Sequence, residues 1–209
     1  NRLIKLAADR VMLVQGTGSA SRAHVYDITS GGDFVKRAAT LDNAFPVSFS
    51  NNGNGVPSGA FYGGGNTSGC TFQWFYARDN VVYVVKRVAA GTANVQLSKL
   101  VYDPAGDTLT ETLIVGSLPL APALGAFRAT MNTIPGEATK RLLQIKTSST
   151  NLELGPQTAW IRHCFIIDTA NDNYSTIAMP ADTALIQYVV PLGLSKMLGL
   201  RSSKEFIYY

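Results

Sequence analysis

The chain is predicted to be all-β: antiparallel, four-stranded repeats in tandem, about three and a half units long. Three observations predict this. A short phrase recurs as Val25-Tyr26-Asp27, Val101-Tyr102-Asp103 and Ile166-Ile167-Asp168, at spacings of 76 and 65 residues. Repetition on that scale marks one structural unit copied along the chain. Between the copies run short β-prone segments bounded by Gly, Ser, Asn and Asp, the pattern of strands and turns. No window sustains the 3.6-residue period of an amphipathic helix; only the stretch Leu194 to Leu198 suggests a short helical turn.

The elements follow in order. Leu3 to Leu6, Val11 to Gln15, Ala23 to Tyr26 and Phe34 to Leu41 form a first series of strands. The segment from Val47 to Gly69 interrupts it. This segment holds Asn51-Asn52-Gly53-Asn54-Gly55 and Gly63-Gly64-Gly65 and is expected to be a long loop around one short strand, Gly59 to Tyr62. A second series runs Thr71 to Tyr76, Val81 to Arg87, Gln96 to Tyr102 and Thr108 to Leu118, closed by Pro119. A third runs Ala126 to Met131, Arg141 to Thr147, Ala159 to Ile167 and Tyr174 to Met179, closed by Pro180. Ala184 to Val190 and Lys204 to Tyr209 remain as a partial unit, the last segment reading as a second strand with nothing after it. The repeats therefore cover about 1–45, 59–119 and 124–180, with a remnant at 181–209. Together they are expected to be a single all-β domain over 1–209, or part of a longer chain, because the first residue is Asn rather than Met.

Each repeated Asp opens a polar turn: Thr29-Ser30-Gly31-Gly32, Pro104-Ala105-Gly106-Asp107 and Thr169-Ala170-Asn171-Asp172 follow Asp27, Asp103 and Asp168. Asp in this place accepts backbone N–H bonds from its own turn. These three are expected to be turn-formers rather than acids or ligands.

Four antiparallel strands per tandem unit is how a β-propeller blade is built. The aliphatic strand, the Val-Tyr-Asp strand, the turn and the strand ending near Leu118-Pro119 or Met179-Pro180 resemble kelch-like blades. The kelch double glycine is absent, and Gly63-Gly64-Gly65 does not stand where it would supply it. A β-sandwich or jelly roll is the alternative, since it also spaces strands at such intervals. A closed propeller has 4–8 blades, so the fractional count implies that more chain or neighbouring copies complete the fold.

Charged residues make up only 15% of the chain, against a usual share of about 25%. The net charge of +4 comes from scattered basic residues with no run longer than a pair, as at Lys36-Arg37, Lys86-Arg87 and Lys140-Arg141. That is not the clustered footprint of a nucleic-acid binder. No segment approaches the roughly 20 apolar residues of a membrane-spanning helix. The two cysteines, Cys70 and Cys164, match no metal spacing and are expected to be buried thiols.

No residue set announces a reaction. His24 and His163 are expected to be satisfied strand histidines, because no acidic or thiol cluster joins them to complete a metal site. Asp168 to Asp172 lacks the alternating acidic pattern and distal Glu of a calcium loop. The four glutamates, Glu111, Glu137, Glu153 and Glu205, stand alone, which gives no evident pair for glycoside hydrolysis. The expectation is therefore no catalytic residue, no metal and no cofactor. The feature with binding potential is the aromatic cluster around Phe72, Trp74, Phe75 and Tyr76 with Phe61 and Tyr62, flanked by loops carrying Asn52 and Asn54. Trp74, Tyr76, Phe61, Tyr62, Asn52 and Asn54 are the candidate binding residues, with core packing the competing role for the aromatics.

In composition and repeat pattern the chain resembles virion proteins of tailed bacteriophages, such as tail, nozzle or fibre components. That resemblance implies a non-enzymatic structural protein in the virion, partnered by copies of itself and other virion proteins. A host surface glycan or receptor is a further implied partner. A propeller protein-interaction module and a lectin-like receptor-recognition domain are the alternatives.

Overall fold

The computed structural model describes residues 2–17, 20–42, 72–87, 95–120, 126–148, 160–178, 186–201 and 206–208. Among them are fifteen strands and no helix. The chain divides into two compact units, Asn1–Pro119 and Leu120–Tyr209. The expected strand Gly59 to Tyr62 lies outside the described residues.

The first unit holds two sheets. The first is β1 (Arg2–Ala7), β2 (Arg10–Thr17), β3 (Ala20–Ile28) and β4 (Phe34–Asp42), in the order β1-β2-β3-β4. The second is β5 (Phe72–Arg78), β6 (Val81–Arg87), β7 (Val95–Asp103) and β8 (Thr108–Val115), in the order β5-β6-β7-β8. The second unit holds β9 (Ala126–Thr133), β10 (Lys140–Ser148), β11 (Trp160–Asp168) and β12 (Asn173–Ile177), again an antiparallel meander. It also holds a three-stranded sheet of β13 (Ile186–Gly193), β14 (Lys196–Arg201) and β15 (Phe206–Tyr208). Each sheet is open, and every pairing joins strands adjacent in sequence.

The expected helical turn at Leu194 to Leu198 is a β-turn leading into β14. Hairpin pairing of Val190 with Leu198 and of Pro191 with Met197 overrides the local spacing of the leucines. The fourth sheet consequently has three strands, and the terminal segment is its third strand rather than its second. Tyr208 stands opposite Leu198 as Val25 stands opposite Met12.

Strand alternation sorts each sheet into two faces. In the first unit Ile4, Leu6, Met12, Val14, Ala23 and Val25 of the first sheet meet Val82, Val84, Leu100, Tyr102 and Leu109 of the second in one buried core. We call the contributing faces the front of the first sheet and the back of the second. In the second unit Leu142 and Cys164 on the front of the third sheet meet Val189 on the back of the fourth. Gln144 donates its Nε2–H to the Val189 carbonyl oxygen at 2.7 Å, tying the same two sheets. The other face of β6 carries Val81, Tyr83 and Val85, all buried, so this strand reads as a continuous apolar run rather than an alternating one.

The three turns after the repeated Asp all use a residue in the left-handed region. Gly32 has φ 88°, Asp107 φ 47° and Asp172 φ 62°. Glycine and short polar residues adopt this conformation most readily. Asp103 accepts the Ala105 N–H at 3.0 Å, and Asp168 accepts the Ala170 N–H at 3.0 Å. These two are the expected turn-formers. Asn171 likewise accepts the Asn173 N–H at 3.0 Å, so the 168–173 segment is a pair of Asx turns.

Candidate functional site

Of the six residues with binding potential, Phe61, Tyr62, Asn52 and Asn54 lie outside the described residues. Trp74 is partly buried and packs against the core shared by the first two sheets. Tyr76 is 43% exposed. Its hydroxyl donates to Asp79 Oδ1, and its ring lies under the Lys5 ammonium, 5.1 Å from the centroid. The Asp79 bond raises the Tyr76 pKa, with burial adding to it.

The hairpin registers explain why Trp74 packs inward. In the first, second and fourth sheets, pairing breaks just before the turn: between Lys5 and Ala7, Tyr76 and Arg78, and Pro191 and Gly193. A bulge at a fixed place fixes the register and facing of the strand around it. Aligned on these breaks, Leu3, Trp74 and Val189 hold one back-face position. Ile4, Phe75 and Val190 hold the neighbouring front-face position. Trp74 and Val189 both pack onto the sheet before them. Trp74 is thus a sheet-stacking residue.

A polar clasp closes the edge of the first stack, and its members are far apart in sequence. Arg10 donates from Nε to Asp27 Oδ1 at 2.6 Å and from its terminal nitrogen to Asn80 Oδ1 at 3.0 Å. Its guanidinium also lies 5.0 Å from the centroid of the Tyr102 ring. Arg37 donates to the Tyr102 hydroxyl oxygen at 3.0 Å and lies 3.3 Å from Asp27 Oδ2. The Tyr102 hydroxyl donates to Asp107 Oδ1 at 2.9 Å, and Asp107 Oδ2 accepts the Ala38 N–H at 2.9 Å. Two backbone bonds, Asn80 N–H to the Leu6 carbonyl and Tyr102 N–H to the Asn80 carbonyl, run beside it. Asp27 therefore serves two arginines of its own sheet, one from each neighbouring strand, where its place in the phrase predicts a turn-former.

The titrations of the clasp follow from these contacts. Burial raises the Tyr102 pKa, with the Asp107 bond adding and the Arg37 bond opposing. Burial works to raise the Asp107 pKa, but the bonds from Tyr102 and the Ala38 amide and the charge of Arg37 bring it below its ordinary value. Bonding to Tyr102 and then the Asp27 charge raise that of Arg37. The contacts of Arg37, Tyr102 and Asp107 join two sheets, so the clasp acts as a structural lock.

The first and fourth sheets each leave large apolar side chains exposed on the face that meets no sheet of their own unit. On the back of the first sheet Leu3 is 57% exposed, although its equivalents Trp74 and Val189 are packed. Leu13 and Tyr26 beside it are half-buried, and Tyr26 meets exposed Phe34 edge-on at 6.5 Å. On the front of the fourth sheet Val190 is 52% exposed and Leu192 46%. Ile4 and Leu6, which occupy those positions in the first sheet, are 1% and 0% exposed. Full burial of one such side chain is worth about 1.5–3 kcal/mol, so each open face holds back a substantial stabilisation.

Cys164 is a buried thiol that forms no disulfide; Cys70 lies outside the described residues. Among the described residues no three His, Cys, Asp or Glu side chains gather where they could hold a metal. Among the same residues no helix is long and apolar enough to cross a membrane. The architecture defines the class: an all-β repeat protein of four-stranded antiparallel sheets, stacked face to face within each unit in the manner of propeller-like blades. No family model matches the chain, and no curated protein matches it.

Proposed function

We propose that the chain is a non-enzymatic structural protein of a virion, of the tail, nozzle or fibre type found in tailed bacteriophages. It assembles with copies of itself and other virion proteins through its sheet faces. The observation that carries this reading is the pair of open apolar faces on the first and last sheets, Leu3 on one and Val190 with Leu192 on the other. Large apolar side chains left exposed where the equivalent positions of other sheets are packed suit an interaction surface. The kelch-like character of the blades belongs to the same proposal, and the clasp of Arg10, Asp27, Arg37, Tyr102 and Asp107 supports it as a rigid scaffold element. Packing of Trp74 against the core favours its structural role over that of an indole platform for a sugar.

The same open faces suit a propeller interaction module in a cellular protein. Gene neighbourhood separates the two: capsid or tail genes beside this one support the virion reading. Light scattering over a concentration series tests assembly. A multimer at micromolar concentration is expected, and a monomer at every concentration overturns the proposal.

A further inference from the structure

We propose that the open back of the first sheet is covered by the open front of the fourth sheet of a second copy, in a head-to-tail contact. The inference rests on the assembling-protein reading above and names the partner and the two faces. It follows from the stacking rule that the chain already obeys twice. In the first unit the front of one sheet meets the back of the next, with Ile4 and Leu6 on the front and Trp74 on the back. In the second unit the same polarity holds, with Val189 in the position of Trp74. The shared bulge places Leu3 where Trp74 and Val189 stand, and Val190 and Leu192 where Ile4 and Leu6 stand. The two open faces are therefore the two halves of the junction used inside each unit, and both are presented by every copy. Joining them continues an existing interface without a new kind of contact.

A contact between unlike faces is heterologous, so it propagates to a ring or a filament rather than stopping at a symmetric pair. The phrase supports the polarity independently. The residue before Asp is Tyr26, Tyr102 or Ile167, and alternation puts all three on the back face. Tyr102 and Ile167 are buried, whereas Tyr26 remains half-exposed beside Phe34.

The test uses two singly substituted full-length proteins, Leu3→Cys and Val190→Cys, mixed and mildly oxidised. A cross-linked dimer several-fold stronger in the mixture than in either protein alone is expected. A multimer that gives no mixed cross-link, or cross-links Leu3→Cys to itself, overturns the face pairing and leaves the assembly reading standing. A monomer at every concentration overturns both. A doubly substituted chain that closes on itself at high dilution shows that the two faces meet within one copy and overturns the second-copy proposal. Leu192→Glu, checked for retained β structure by circular dichroism, is expected to raise the concentration needed for assembly at least tenfold.

Discussion

The guanidinium of Arg10 lies over the ring of Tyr102, 5.0 Å from its centroid, while its nitrogens hold Asp27 in its own sheet and Asn80 in the next. One side chain thus joins two sheets by three kinds of contact. Arg10→Ala is expected to cost about 2–3 kcal/mol, because it leaves Asp27 and Asn80 with partly buried, unmet acceptors. Arg22→Ala, which breaks the exposed pair with Asp42, is expected to leave the urea midpoint unchanged. Denaturation of the two variants side by side checks the contrast.

Tyr102→Phe removes the hydroxyl shared by Arg37 and Asp107 without opening a cavity. Its expected cost is about 1–2 kcal/mol in urea denaturation. Tyr26→Phe, at the same place in the phrase but on the open face, is expected to leave the stability of the isolated chain unchanged.

Ser98 is fully buried between the first two sheets, and its hydroxyl meets no hydrogen-bond partner. A buried hydroxyl without a partner carries a desolvation cost. Ser98→Ala is therefore expected to hold or raise stability by up to about 1 kcal/mol. A loss greater than 1 kcal/mol in thermal or urea unfolding contradicts this reading.

His24 is buried on the back of the first sheet, and its Nδ1 has no partner. Burial, then the charges of Lys36 and Arg22, lower its pKa below 6.5, with Asp42 opposing. The unfolded chain therefore binds this proton more readily than the fold does. The His24 contribution is complete above about pH 6.5 and declines as the pH falls below that value toward the depressed folded pKa. Unfolding midpoints at pH 7.5 and 5.5 are expected to differ less in His24→Gln than in the parent chain.

Much of the fold is legible in the sequence, for local reasons. Asp103 and Asp168 cap their own turns two residues on, and such contacts depend on neighbours in the chain. The alternation that puts Tyr26, Tyr102 and Ile167 on one face can also be counted directly from the phrase. The helical turn expected at Leu194 to Leu198 fails because cross-strand pairing with β13 decides that segment. The clasp was hidden because Arg37 and Tyr102 lie 65 positions apart and Arg10 and Asn80 lie 70 apart. No local pattern tells Asp27, which takes two arginines, from Asp103, which caps a turn. The packing role of Trp74 becomes visible only once the bulges align it with Val189.

Every described strand pairs with a chain neighbour, so each sheet is complete once its last strand has been made. Synthesis from the N-terminus then delivers finished sheets one at a time, and chains fold vectorially at the pace of translation. The front of the first sheet waits on the ribosome only until residues 72–115 emerge to cover it. The back of that sheet, with Leu3 upon it, stays exposed after those residues have packed on the front. A nascent chain thus carries its docking face from the moment that sheet has formed.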